Sequence, residues 1–336
     1  MTPAKRIDAF ARLGEKIKSL SADEKIELCD KIRNENPWFT PDNIALSLNG
    51  IVKFLDHQVL KEWTGNYSLE NISSKKIGVA MAGNIPLVGF HDLLCVLLAG
   101  HQLVAKISSQ DSVLMHFIKN SLIEIDPAFS EKILFEERLN HVDALIATGS
   151  DNTSRYFEYY FRHVPHLLRK NRSSCAVVLG EESKEDFFSL AKDIFSYFGL
   201  GCRNVSKIYV PEHFDFVPML GSWEPYQPII HHHKYVNNYD YQKSILLVNQ
   251  IHFYDTGYVL LTQNQNLVSP ISTVYYESYK DQNDLSSKLK LHEEKIQCIV
   301  SAKGWYKKSL AFGEAQFPVV NDYADGVDTL SFLQAI

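Results

Sequence analysis

The residues best suited to chemistry lie in Phe198-Gly199-Leu200-Gly201-Cys202-Arg203-Asn204, where two glycines frame a cysteine between a helical pattern and an apolar, strand-like run. Glycine permits close backbone approach or a positive φ just ahead of the sulfur, so the thiol is not shielded by its neighbours. Cys95, in Leu93-Leu94-Cys95-Val96, shows the opposite pattern, a small hydrophobe inside an apolar run. On local pattern alone Cys202 reads equally as a nucleophile or as a structural thiol.

Three further groups sit at the ends of strand-like segments. In Ala82-Gly83-Asn84-Ile85-Pro86 the Asn84 amide could donate to a developing oxyanion, an effect worth about 3–4 kcal/mol; its alternative is a turn-forming asparagine. Lys106-Ile107-Ser108-Ser109 offers a cation and two hydroxyls that suit a phosphate or ribose. The alternative there is a lysine reaching for solvent beside a helix cap. Thr148-Gly149-Ser150 leads into a helical pattern and presents backbone N–H groups to an anion. None of the three matches the three-glycine dinucleotide fingerprint or the phosphate loop. The adjacent His231, His232 and His233 cannot all face one metal from a strand or helix, so they read as a loop and no metal site is expected.

The elements that must position these groups follow from periodicity. Residues 1–75 are helical, with Ile7, Phe10, Leu13, Ile17 and Leu20 on one face, Ser21 as a cap and Pro41 at a first helical position. Strands are predicted at 76–83, 102–107, 144–148 and 175–179, and helices at 88–99, 112–124, 151–162 and 184–198. That alternation implies a parallel sheet covered on both faces, with its ligand site at the carboxyl ends of the strands. Beyond Cys202, strand-like runs at 206–211, 244–248 and 272–276, then a helix from 285 and a strand at 296–300, suggest a second α/β unit. The expected organisation is a helical leader over 1–75, a Rossmann-type domain over 76–199, a catalytic domain over 200–315 and a C-terminal segment over 316–336.

Composition narrows the function classes. With 336 residues, 45% of them hydrophobic, the chain can fill two cores. A net charge of −6 argues against a general nucleic-acid role; the best local basic patch is Arg169-Lys170-Asn171-Arg172. Five scattered cysteines fit a reduced, cytoplasmic protein better than a disulfide framework. Residues 1–20 are charged throughout, so no signal peptide is expected, and the most apolar stretch, 87–105, is interrupted by His91, Asp92, His101 and Gln102, so no transmembrane segment is expected either.

Taken in order, the strand-end groups and the glycine-framed cysteine resemble the aldehyde dehydrogenase superfamily, and within it the long-chain acyl-CoA reductase branch, the family of the bioluminescence fatty-acid reductase subunit. The resemblance is clear over residues 76–210 and fainter through Ser269-Pro270-Ile271-Ser272. It implies an aldehyde-dehydrogenase-like α/β fold. Cys202 would be the nucleophile and Asn84 the oxyanion donor. Lys106, Ser108, Ser109, Thr148, Gly149 and Ser150 would bind a nicotinamide dinucleotide. The family also tends to self-associate.

Departures from the family pattern shape the expected chemistry. Hydrolytic members carry a glutamate base in a Glu-Leu-Gly-Gly-Lys run; the matching place here reads Arg169 to Ser173, with no carboxylate. Water attack on a thioacyl-enzyme needs such a base, whereas exchange with a thiol does not. Ser109 stands where NAD-preferring relatives often have a glutamate, which favours NADPH over NADH. The family's ribose-binding glutamate is matched by Asn266. The resulting expectation is NADPH-dependent reduction of a long-chain acyl-CoA or acyl-carrier thioester to the aldehyde. Two alternatives are a short-chain aldehyde or semialdehyde dehydrogenase and a non-catalytic, acyl-binding partner subunit.

Overall fold

A computed structural model describes residues 1–70, 72–149 and 157–336, and the chain divides into two units. Unit 1 comprises residues 1–171 and 318–336 and unit 2 residues 172–317. Ser150 and most of the helix expected over 151–162 lie outside the described residues; 157–161 are helical.

Unit 1 begins with four helices, α1 (Pro3–Lys18), α2 (Ala22–Glu35), α3 (Pro41–Phe54) and α4 (His57–Thr64). Their starts are written in the sequence. Thr2, Ser21 and Thr40 each accept a backbone N–H of the first turn, Pro3 and Pro41 occupy first helical positions, and Ser21 with Glu24 forms a reciprocal capping box. Phe10, Leu13 and Ile17 of α1 are buried as the three- and four-residue spacing requires, each full burial contributing about 1.5–3 kcal/mol.

The sheet of unit 1 contains β1 (Lys76–Ala80), β2 (Gln102–Lys106), β3 (Ile133–Phe135), β4 (Ala144–Gly149) and β5 (His166–Lys170). Their order is β3-β2-β1-β4-β5, every pair parallel. This is the arrangement whose strand order reverses beside β1, leaving a crevice at the carboxyl ends of β1 and β4. Between β1 and β2 runs α5 (Phe90–Ala99), and between β2 and β3 runs α6 (Ser112–Ile125). Every residue of α5 but His91 is buried, because it is apolar around its whole circumference and packs in one core with α1, α3, α4 and the last helix, Thr329–Gln334. At 10 residues it is far too short to span a bilayer. Among the described residues no helix is long and apolar enough to do so.

The basic patch expected at Arg169–Arg172 does not form as such. Arg169 is 4% exposed, and its guanidinium donates to both carboxylate oxygens of Asp92 at 2.7 Å and to Thr329 at 2.8 Å. A strand residue pointing into a covered sheet must satisfy its charge internally, and loss of one partner of such a pair costs about 3–5 kcal/mol.

Unit 2 holds a seven-stranded sheet of β6 (Ser173–Val177), β7 (Val205–Pro211), β8 (Phe253–Asp255), β9 (Leu260–Gln263), β10 (Thr273–Tyr279), β11 (Ile296–Ser301) and β12 (Leu310–Ala311). Their order is β12-β11-β6-β7-β10-β9-β8, parallel except for the edge strand β8. α7 (Lys184–Phe195) connects β6 to β7, which are direct neighbours. The boundary between units therefore falls at 171/172 rather than at 199/200: the strand and helix expected to close the first domain pair and pack in the second. Residues 244–248, expected to be a strand, form the end of a helix, His233–Val248. Leu246 there is buried while Leu247 and Val248 are 58% and 81% exposed, a one-sided burial that a short apolar run does not reveal in the sequence.

Candidate active site

In unit 1 the predicted residues gather at the carboxyl ends of three neighbouring strands. Asn84 follows β1, Lys106 ends β2 with Ser108 and Ser109 just beyond, and Thr148 and Gly149 end β4. Asn84, Lys106 and Ser109 are exposed; Ser108, Thr148 and Gly149 are half-buried. Ser150 lies outside the described residues.

The loops after β1 and β2 are locked together. A Cβ on Gly83 would lie 2.3 Å from Ser108 Oγ, so glycine is required there by space. Ser108 Oγ accepts the Gln110 N–H at 3.2 Å, which gives this serine a turn-forming role in addition to any contact with a ligand. Asp111, next in line, occupies the cap position of α6 but makes no cap bond. Its carboxylate instead accepts the N–H of Leu87 at 2.9 Å, in the loop that carries Asn84 and where Leu87 itself has φ 57°. Burial raises the Asp111 carboxyl to about 8, against the pull of that N–H. Sequence reasoning missed Asp111, since an aspartate before a helix reads as an ordinary cap.

In unit 2, Cys202 sits between α7 and β7 and is half-buried. The chain leaves α7 through a short 3-10 turn in which Tyr197, Phe198 and Gly199 all have positive φ, near 52°, 57° and 77°. Gly199 thus has the conformation its identity suggested. Gly201 does not, being absent from the positive-φ glycines. The turn is pinned by Asn204, only 1% exposed. Its Oδ1 accepts the Gly201 N–H at 2.8 Å, and its Nδ2 donates to the carbonyls of Asp193 at 3.0 Å and Ser196 at 2.8 Å. One buried amide therefore both satisfies orphan carbonyls at the end of α7 and fixes the backbone just before Cys202. From the other side Ser174 Oγ on β6 donates to the Cys202 carbonyl at 3.1 Å.

The remaining cysteines differ. Cys95 and Cys175 are fully buried, and burial pushes both thiols far up. Cys29 is pushed up by burial and by Asp30, and Cys298 shares Ser174 Oγ at 3.1 Å. None of the five is in a disulfide.

Aromatic side chains wall the segment that carries Cys202. Phe198 packs on the His232 ring at 4.4 Å and on Tyr235 at 6.0 Å between centroids. His232 also caps its helix, its ring accepting the Tyr235 N–H at 3.4 Å. Phe198, Gly199 and Tyr235, with Pro270, Ile271 and Ser272, line a small cavity of about 30 Å³, the size of one water. The Ser269–Ser272 segment, only faintly family-like in the sequence, thus lines the same cavity as Phe198 and Gly199. Of the aromatics between 223 and 241, Trp223, Tyr235 and Tyr239 are buried and Tyr241 is 63% exposed, so most of them serve the core. In the segment expected to match the hydrolytic glutamate run, Arg169 is paired with Asp92 and Arg172 donates to the Ile296 carbonyl at 3.2 Å.

Solved structures that share the fold include an aldehyde dehydrogenase from Bacillus cereus in complex with NAD+ (14% identity, TM-score 0.64, 90% of this chain and 72% of that one). Another is an indole-3-acetaldehyde dehydrogenase from P. syringae in complex with NAD+ (12% identity, TM-score 0.70, 94% and 75%). Among curated proteins the chain is similar to a long-chain acyl-protein thioester reductase from Vibrio harveyi, 26% identical over 148 residues. That match takes in 38% of this chain and spans only 30% of the relative's length. The model of the family described as acyl-CoA reductase (LuxC) matches residues 38–215, more than half of the chain and all of the predicted site residues. The fold is that of the aldehyde dehydrogenases, and the chain belongs to the acyl-CoA reductase (LuxC) family.

Proposed function

We propose that the chain reduces a long-chain acyl thioester, delivered by coenzyme A or a carrier protein, to the aldehyde through a thioacyl intermediate on Cys202. The observation that carries this reading is the Asn204-pinned turn, which holds a half-buried thiol at the start of a central strand while Cys95 and Cys175 are sealed in apolar cores. The strand-end residues of unit 1 fit a nicotinamide dinucleotide: an exposed cation and hydroxyl, Lys106 and Ser109, follow the end of one strand, and half-buried Thr148 and Gly149 end another, across the point where strand order reverses. With Ser109 leaving no carboxylate to repel a 2′-phosphate, NADPH is the proposed form.

In the proposed sequence the Cys202 thiolate attacks the thioester carbonyl and the thiol carrier leaves as its thiolate, taking up a proton. The oxyanion of each tetrahedral species is held by the Asn84 amide and the Cys202 backbone N–H. The nicotinamide, when bound, supplies a hydride to the thioacyl carbon. The thiohemiacetal oxyanion so formed collapses directly, the C–S bond breaking as the carbonyl re-forms, and the aldehyde leaves with Cys202 again a thiolate. With Arg169 and Arg172 in place of a carboxylate, no residue there activates water, which favours hydride over hydrolysis. Self-association, as the family resemblance suggests, belongs to the same proposal.

The test is acyl-CoA-dependent NADPH oxidation over a series of chain lengths. Cys202→Ala abolishes it, and Asn84→Ala lowers turnover by about 10²-fold with cofactor binding kept. Retained activity in Cys202→Ala refutes the mechanism, and a preference for short aldehydes refutes the substrate class.

A further inference from the structure

Within unit 1, α1, α2 and α3 enclose an apolar cleft of about 630 Å³, inside the ~300–1,000 Å³ range of small-molecule sites. Its walls include Ile17 of α1, Ile26 and Cys29 of α2, and Ile44 and Leu48 of α3. α2 is tied down near one end and packs few side chains inward along its length. The Ser21–Glu24 capping box stabilises only its own first turn. At its other end Glu35 accepts from the Ser112 hydroxyl and from the Val113 N–H at 3.1 Å. In between, Ile32 is the one residue of α2 that is buried, and Ile26 is 61% exposed. A helix of 14 residues that packs this little leaves an apolar wall in contact with water, the mark of a surface built to be covered.

The charges on the rim are separated. Lys18 ends α1 and Lys25 lies in the first turns of α2, so the three-residue connection between the helices places both at one end of the cleft. Asp42, in the first turn of α3, also borders the cleft, and the short 36–40 connection places it by the far end of α2, with Asp30 near the middle of that helix. Lys25, with Lys18 beside it in an exposed pair with Glu15 at 2.6 Å, marks one end of the cleft, and Asp42 marks the other. We propose that the cleft binds a long-chain fatty acid, its carboxylate between Lys18 and Lys25 and its chain along Ile17, Leu48 and Ile44. The choice of an acyl chain as the apolar ligand rests on the function proposed above; the cleft itself lies on helices that carry none of the predicted catalytic or cofactor residues.

The experiment is calorimetric titration of the full chain, and of Cys202→Ala, with myristate and with its uncharged analogue tetradecanol. Both proteins are expected to bind one equivalent of myristate with equal affinity. Ala45→Trp, which places an indole in the cleft from an exposed helical position, should weaken both ligands by about tenfold or more. The Lys18→Gln/Lys25→Gln pair, which costs folding only the exposed Lys18–Glu15 pair, a small loss, should weaken myristate by about three- to tenfold and leave tetradecanol unchanged. Myristate should also slow maleimide labelling of Cys29. Binding that ignores both sets of substitutions, or no protection of Cys29, overturns the proposal. So does a dimer that Ala45→Trp splits into monomers in light scattering, since a second copy would then be the occupant. The reductase assay on the same samples keeps the two readings apart: a protein that binds myristate here but never oxidises NADPH loses the proposed reaction and keeps the cleft, while an active enzyme with no cleft binding does the reverse.

Discussion

Replacing Asn204 by alanine should damage both the stability of unit 2 and the chemistry of Cys202. The side chain is 1% exposed and serves several backbone groups at once. Its bonds to the Gly201 N–H and the Asp193 carbonyl are fully buried, and the bond to the Ser196 carbonyl is partly so. A buried polar group left without its partner costs about 1–3 kcal/mol, so the two fully buried losses alone predict about 2–6 kcal/mol of destabilisation. Against a typical total of about 5–15 kcal/mol that is a large fraction, visible as a lowered urea midpoint at unchanged slope. The same change releases the turn that aims Cys202, and a displacement of about 1 Å costs on the order of 10²-fold in a positioned reaction. Single-turnover NADPH oxidation with a saturating acyl-CoA should therefore slow by that order in the folded variant, at unchanged cofactor affinity. Asn204→Asp, which keeps the acceptor for Gly201 but turns a carboxylate toward the two carbonyls, should be no better than alanine. A midpoint shift worth less than about 0.5 kcal/mol together with an unchanged single-turnover rate would refute the reasoning.

Gly83→Ala brings a Cβ to within 2.3 Å of Ser108 Oγ and should separate the loops after β1 and β2. The expected result is a loss of about 1–3 kcal/mol and a raised KM for the dinucleotide, with Ser108→Gly restoring part of both in the double variant; additive losses would contradict the contact. The acidic groups at Asp111 and Asp193 predict a pH dependence, because burial raises them to about 8 and about 7, above their unfolded value of about 3.9. Their folded forms hold the proton more tightly, so their contribution is complete below about pH 4 and lost as pH rises through about 7–8, at up to about 1.4 kcal/mol per unit for each group. Urea unfolding at about pH 5.5 and about pH 8.5 should show the decline, and Asp111→Asn should flatten part of it; an unchanged slope in that variant would assign the effect elsewhere.

How much of this was legible in the sequence varies with the kind of residue. The first βαβ units could be read because their apolar runs are long and bounded by glycine and proline: β1, α5, β2 and α6 stand within a few residues of their predicted ranges. β5 was missed because His166-Leu167-Leu168-Arg169-Lys170 is short and ends in two cations, and nothing in the chain order reveals that one of them meets Asp92 across the fold. The 244–248 run was misread because four apolar residues fit the last turn of a helix as well as a strand. Gly199 was legible as a backbone device, and its positive φ agrees. Asn204 and Asp111 were not legible. Each is a common polar residue next to a helix or strand end, and its role comes from carbonyls and N–H groups brought there by the fold, which single-sequence patterns do not encode. The strand-end placement of Asn84, Lys106 and Thr148-Gly149 follows from parallel topology alone, since loops at the carboxyl ends of neighbouring strands must share one edge of the sheet.

The central claim is that Cys202 carries the acyl group and hands it to a hydride. Intact-protein mass spectrometry after incubation with palmitoyl-CoA, followed by peptide mapping, tests it directly. The account predicts one acyl adduct, located on Cys202, that persists without cofactor and disappears on addition of NADPH as the fatty aldehyde accumulates. An adduct on another residue, or an adduct on Cys202 that NADPH does not discharge while aldehyde still forms, would contradict it.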